Sequence, residues 1–140
     1  MTMSGSIQAL LAFTTWAMFL GSAVILYRVA QVLTGKKKSN EFPAWLQHGS
    51  DFYWRVNRAH LNCLENLPIF ATLVFVGTFL NITDSLFETL GWVVFGARLV
   101  QSSAHLSGGG VWPVNVRFTG FLVQYVSFAG MLYIIFDGKL

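Results

Sequence analysis

Residues 1–27, 66–83 and 118–136 contain no charged side chain at all. Runs of that length leave few folds open. About 20 apolar residues in a helix cross the hydrocarbon core of a bilayer. In lipid only helices and closed barrels satisfy their own backbone hydrogen bonds. Hydrophobic residues make up 54% of the 140 and charged residues 11%, against about 25% charged in an average soluble chain. That apolar content is spent almost entirely on spans, so residues 1–140 are expected to form a single all-α membrane domain. A cleaved signal peptide would show a basic start and a shorter apolar core. Neither is present, so the first helix is expected to remain.

The lone cysteine, Cys63, excludes an intrachain disulfide, a zinc–cysteine cluster and a CxxC redox motif, and no metal site is expected. The net charge of +3, with its one basic run at Lys36, Lys37 and Lys38, is too small and scattered for nucleic-acid binding.

Four transmembrane helices are expected. The first covers residues 7–27. A polar connection, 34–51, carries the three lysines, Gly35 and Pro43, a composition that marks a loop. The second helix runs over residues 52–80. Ser85 and Glu88 have the spacing of a capping box, which starts the third helix there and carries it to His105. The glycines at 108–110 break the chain, and Pro113 suits the first turn of the fourth helix. The first connection holds three lysines and the second none. Positive charge stays inside, so the first and third connections face the cytoplasm and both termini lie on the non-cytoplasmic side. Tyr27, Trp45, Tyr53, Trp54 and Trp112 then fall near the cytoplasmic boundary, as interfacial aromatics do. The absence of an organelle signal and the compact ends fit a multi-pass protein of a bacterial inner membrane.

Ionisable side chains inside these spans are the informative ones. A lone Arg or Glu at mid-bilayer costs about 2.5–3.5 kcal/mol on insertion scales, so such residues pair, face the bundle interior or line a wet site. At about 100° per residue, Arg55, Arg58, Asn62 and Glu65 form one stripe on the second helix. Arg98, Gln101 and His105 form a stripe on the third, and Arg117, Phe121 and Gln124 share a face of the fourth. His60 and Cys63 point away from the second-helix stripe, and His48 is expected to be a surface residue. Glu65 and Arg98 sit deepest, which predicts a buried ion pair between them. Guanidinium groups at Arg28, Arg58 and Arg117 are left around an inward-opening recess, and guanidinium binds carboxylates bidentately. Against this, Arg28, Arg55 and Arg117 lie near span ends, where arginine routinely reaches back to the interface.

Arg55-Val-Asn-Arg58-Ala-His-Leu-Asn62-Cys-Leu-Glu65-Asn-Leu-Pro68 resembles the second-helix signature of the MAPEG superfamily, the membrane-associated proteins of eicosanoid and glutathione metabolism. The run from Arg58 to Asn66 looks most like microsomal glutathione transferase. The likeness extends to Tyr27-Arg28, to Gly96-Ala97-Arg98 and to Asn115-Val-Arg117. It implies a homotrimer with glutathione bound between subunits near the cytoplasmic face. By the same resemblance Arg28 and Arg58 would hold glutathione carboxylates, and Asn62 and Glu65 its backbone and amine. His105 and Gln101 would form a wall of the site. Arg117 would be the catalytic residue, because a guanidinium beside a thiol favours the reactive thiolate. A thiolate facing a lipid-open groove would attack small hydrophobic electrophiles, a detoxifying transferase reaction, with lipid-hydroperoxide reduction as a companion activity.

Two departures stand out. Gln101 and His105 replace the His and Tyr common in relatives. Phe118 and Phe121 replace the hydroxyl-bearing residues of the prostaglandin-forming member. The alternative function is a non-catalytic, lipid-binding scaffold of the same fold. A small transporter using Arg98, Glu65 and His105 is a third reading, against which the lack of broken spans and repeats argues.

Overall fold

The computed structural model describes residues 3–137. Lys139 of the C-terminal tail lies outside them. Four helices follow in order: α1, Gly5–Leu33; α2, Asp51–Phe79; α3, Ser85–Ser107; and α4, Val111–Asp137. Among the described residues there is no β-strand.

Helices α1 and α2 stop where the local chemistry lets their last carbonyls find donors. At the end of α1, Gly35 has φ +68°. The N–H of Lys36 returns to Gln31 O and that of Gly35 to Val32 O, both at 3.0 Å. This is a Schellman closure, which wants a residue free to take positive φ. It recurs at the end of α2, where Asn81 supplies the positive φ of 54° and Ile82 N–H bonds Gly77 O at 2.9 Å. Helix α1 therefore runs six residues past the expected Tyr27. The polar side chains of Arg28 and Gln31 do not end it, because nothing in that stretch opposes helical φ and ψ.

Helix α3 starts at Ser85, as expected, but its cap is not the expected one. The cap is Asp84, whose carboxylate accepts from the N–H of Leu86 and of Phe87. Ser85 is the first helical residue, so no Ser85–Glu88 capping box forms. A carboxylate caps as well as a hydroxyl and also opposes the positive end of the helix dipole. Helix α2 begins as expected, with Ser50 accepting from Tyr53 N–H at 3.1 Å.

Three helices, α1, α2 and α4, are long and apolar enough to cross a membrane. Helix α3 has 23 residues, a length of about 34 Å at 1.5 Å per residue. Arg98, Gln101, Ser102, Ser103 and His105 dilute its apolarity. Every pair of helices touches except α1 and α4, and the contact between α3 and α4 is the most extensive. Helices α2 and α3 thus form the central pair, with α1 and α4 at opposite corners.

The core runs through Phe13, Phe70, Phe87, Val94, Phe128 and Met131, with Phe13 and Phe70 edge to face at 5.6 Å. Glycines allow close helix approaches, as at Gly77 and Gly120. A Cβ on Gly77 would stand 2.5 Å from the Phe87 ring, and one on Gly120 would stand 3.2 Å from the Ala97 carbonyl oxygen. Many large apolar side chains face outward, Phe19, Leu26, Phe75, Phe79 and Tyr133 among them. In water such a surface would be an aggregation hazard. In lipid it is the expected exterior.

Candidate functional site

The three polar stripes meet at two levels. In the deeper one, Asn66 Nδ2 donates to Gln124 Oε1 at 3.1 Å, and Gln124 Nε2 donates to Gln101 Oε1 and to Gly120 O, each at 2.9 Å. All three side chains are buried, so one amide network joins α2, α3 and α4. Gln101, expected in the glutathione wall, lies in this network. Asn66 was not singled out from the sequence. Its place on α2, one turn beyond Asn62, was the available signal.

In the outer level, Arg117 Nη1 lies 3.0 Å from His105 Nδ1, and the Asn62 amide group lies 2.8 Å from His105 Nε2. The proton positions follow from the chemistry. A guanidinium only donates, so Nδ1 accepts and the neutral ring carries its proton on Nε2. That N–H needs an acceptor, so the Asn62 amide, placed with Nδ2 at the ring, is assigned the turned-over orientation that presents its oxygen. Its NH₂ is then free to donate elsewhere. The result is a chain from α2 through α3 to α4 that fixes the direction of the Arg117 guanidinium from behind. Asn62, His105 and Arg117 were all expected at one site, and the structure brings them together.

The α2 stripe faces outward. Arg58 and Glu65 are exposed and Arg55 and Asn62 half-buried. The buried Arg55 Nε has no hydrogen-bond partner.

The expected Glu65–Arg98 ion pair is not formed. Arg98 is 1% exposed, and its Nε and Nη2 have no hydrogen-bond partner. Its guanidinium carbon lies 5.4 Å from the centre of the Phe13 ring, a cation–π contact in place of an ion pair. The reason is rotational. Arg98 turns into the helix-packed core towards α1, while Glu65 shares the outward face of Arg58.

Arg28 stands apart from Asn62, His105 and Arg117 in its bonding. Its Nε donates to Tyr53 Oη at 2.8 Å, and its guanidinium carbon lies 5.6 Å from the Phe42 ring centre. Tyr53 also stacks on Tyr27 at 4.1 Å.

His48 is not the simple surface residue expected. Its Nδ1 donates to Leu46 O at 2.8 Å, which leaves Nε2 to accept from the Tyr53 hydroxyl at 3.2 Å. The ring also packs against Phe42 and Trp54. The first connection is therefore anchored onto the ends of α1 and α2. Loop residues that close only in three dimensions give no periodic signal, and the sequence does not reveal this cluster.

His60 and Cys63 do point away from the outer stripe. His60 Nδ1 donates to Ala17 O at 3.0 Å across to α1, and Cys63 is fully buried. Both are structural.

No curated protein is significantly similar to the chain. A family model, that of the MAPEG family, matches it over residues 6–136. The match takes in all four helices and every residue of the two polar levels, so this integral membrane protein belongs to the MAPEG family.

Proposed function

We propose that this protein is a membrane-bound glutathione transferase whose homotrimer holds glutathione between neighbouring subunits. The observation that carries the reading is the Asn62–His105–Arg117 chain. It aims a guanidinium, without a carboxylate to neutralise it, at the same side as an outward polar stripe.

That stripe argues for a covering copy. Arg58 and Glu65 left against acyl chains would each cost a few kcal/mol, and two helical turns separate them from each other on α2. A second subunit laid on this face removes the cost and closes a recess. Within it Arg58 fits a carboxylate in bidentate geometry, Glu65 an ammonium group, and the free NH₂ of Asn62 a peptide carbonyl. Arg28 spends its Nε on Tyr53 and keeps its terminal nitrogens for a second carboxylate. Gln101 forms the floor through its bond to Gln124. These groups fit a tripeptide with two carboxylates and one amine.

Bound glutathione would supply the thiol. Arg117 favours its thiolate by charge, and His105 keeps the guanidinium from swinging away, so the stabilisation needs no rearrangement when the thiol ionises. Phe118 and Phe121 beside Arg117 are exposed, which gives lipophilic electrophiles an apolar approach from the bilayer. Lipid hydroperoxides fit the same approach. The orientation belongs to this reading too: α3 crosses with the other three helices, the lysine-bearing connection faces the cytoplasm, and both described ends face away from it.

The test is ultraviolet difference spectroscopy on the purified protein with glutathione. A thiolate band is expected, lost in Arg117→Ala. Glutathione-dependent thermal stabilisation without any thiolate band would refute the catalytic role. A second reading, a non-catalytic lipid-binding scaffold, takes its support from Phe118 and Phe121, which bring no hydroxyl to the pocket. It requires fatty-acid binding with no thermal shift from glutathione.

A further inference from the structure

We infer that the junction of α1 with the first connection is a binding site for one anionic phospholipid. A cleft of about 350 Å³ opens there, lined by Arg28, Val29, Val32 and Leu33 of α1 and by Ser39 and Phe42 of the connection. Its two walls differ in kind. Val29, Val32 and Leu33 are exposed apolar residues on the last turns of an apolar helix, a surface that suits an acyl chain. The opposite rim is cationic.

Lys37 Nζ and the Arg28 guanidinium carbon each lie 5.6 Å from the centre of the same Phe42 ring. Lys36 and Lys38 are adjacent in the chain and exposed. Between Thr34 and Ser50 the only carboxylate is Glu41, and its Oε2 is occupied by the Lys38 backbone N–H at 2.8 Å. Arg28 in the lining and Lys37 over the Phe42 ring therefore put two cations at the mouth, with Lys36 and Lys38 next to them in the chain and one partly engaged anion.

A negatively charged group is the charge complement, and the apolar wall decides which kind. A soluble anion would use the cations and leave the valine and leucine wall bare. A phospholipid uses both, its phosphate at the lysines and a chain along α1. Basic clusters beside a span attract anionic lipid in just this position, and the half-buried Phe42 gives this cluster a defined pocket where a loose polybasic tail would have none. His48 and Tyr53, bonded to each other behind Phe42, hold the connection in place whether or not the lipid is present.

The experiment is native mass spectrometry of the full-length protein released from detergent, titrated separately with phosphatidylglycerol and phosphatidylcholine of the same chain length. Wild type is expected to retain phosphatidylglycerol in preference to phosphatidylcholine. The triple variant Lys36→Gln, Lys37→Gln, Lys38→Gln should retain it at least about tenfold less well. Raising the salt concentration should release the lipid from wild type, a readout that does not depend on how the variant folds. Equal retention of both lipids, undiminished retention in the triple variant, or indifference to salt would each overturn the assignment. So would displacement of the lipid by inorganic phosphate, which would mark the mouth as a soluble-anion site. Retention is measured without glutathione, so it reports on this site separately from the transferase reading.

Discussion

An arginine closed inside a helical bundle with donors to spare is an expensive residue. Removing a charge from water costs several kcal/mol, and a buried ion without full pairing is often better replaced by an apolar side chain. Arg98→Met is therefore expected to raise the thermal unfolding midpoint in detergent, by an equivalent of about 1–4 kcal/mol. Glu65→Gln, in contrast, should leave that midpoint within about 0.5 kcal/mol of wild type, since no bond joins the two residues. If both variants were destabilised together, the pair would be closed in the assembled protein. At the outer level, Arg117→Ala should lower kcat/KM for a lipophilic electrophile by about a hundredfold, the usual loss for one charge-stabilising donor. His105→Ala should fall between that variant and wild type in the thiolate band, because it frees the guanidinium without removing it. Helical phase made Asn62, His105 and Arg117 legible as one group, since all three are spaced whole turns from their neighbours on a stripe. Arg98 shares α3 with His105 but not its direction. Phase fixes which residues share a face and says nothing of which neighbour that face meets, so the ion pair could not be judged from spacing.

At the level of the helix, the ends were readable to within a few residues where a cap sits beside a break in apolarity. Ser50, Asn81 and the glycines at 108–110 are such places. The misplacement at Asp84 came from two adjacent residues that can both cap, and the carboxylate wins because it accepts two backbone donors at once. The overrun of α1 came from treating polarity as a stop signal, when polar residues at a membrane boundary remain helical. Helix contacts were the least legible part. Nothing in the sequence around Gly77 foretells that Phe87 fills the space of its missing side chain. Gly77→Leu is expected to destabilise the protein by about 1–3 kcal/mol through overpacking, measured by thermal unfolding, with the loss relieved in part by Phe87→Ala. Gln124→Leu should cost a similar about 1–3 kcal/mol, since it strands buried donors and acceptors on Asn66 and Gln101.

For the whole molecule, the outward polar stripe of α2, with Arg58 and Glu65 exposed among large apolar side chains, is the feature the proposed covering subunit would bury. Cross-linking in native membranes is expected to trap three copies, and Arg58→Leu combined with Glu65→Leu should weaken glutathione-dependent stabilisation while the copies still associate. The class of fold, three of the four helices and the membrane setting were carried by the uncharged runs, and α3 by the start and stop signals at its two ends. The docking of the first connection was not, because His48, Phe42 and Tyr53 gain meaning only through contacts between segments that composition treats as unrelated.

The three glycines between α3 and α4 have one more implication. Helix α4 keeps its place by lying along α3 and touching α2, with no contact to α1 and only a short tether behind it. Polypeptide continuity at that point should be dispensable. Two genes, one ending after Ser107 and one beginning before Val111, expressed in the same cell, should yield pieces that find each other in the bilayer and co-purify as one particle.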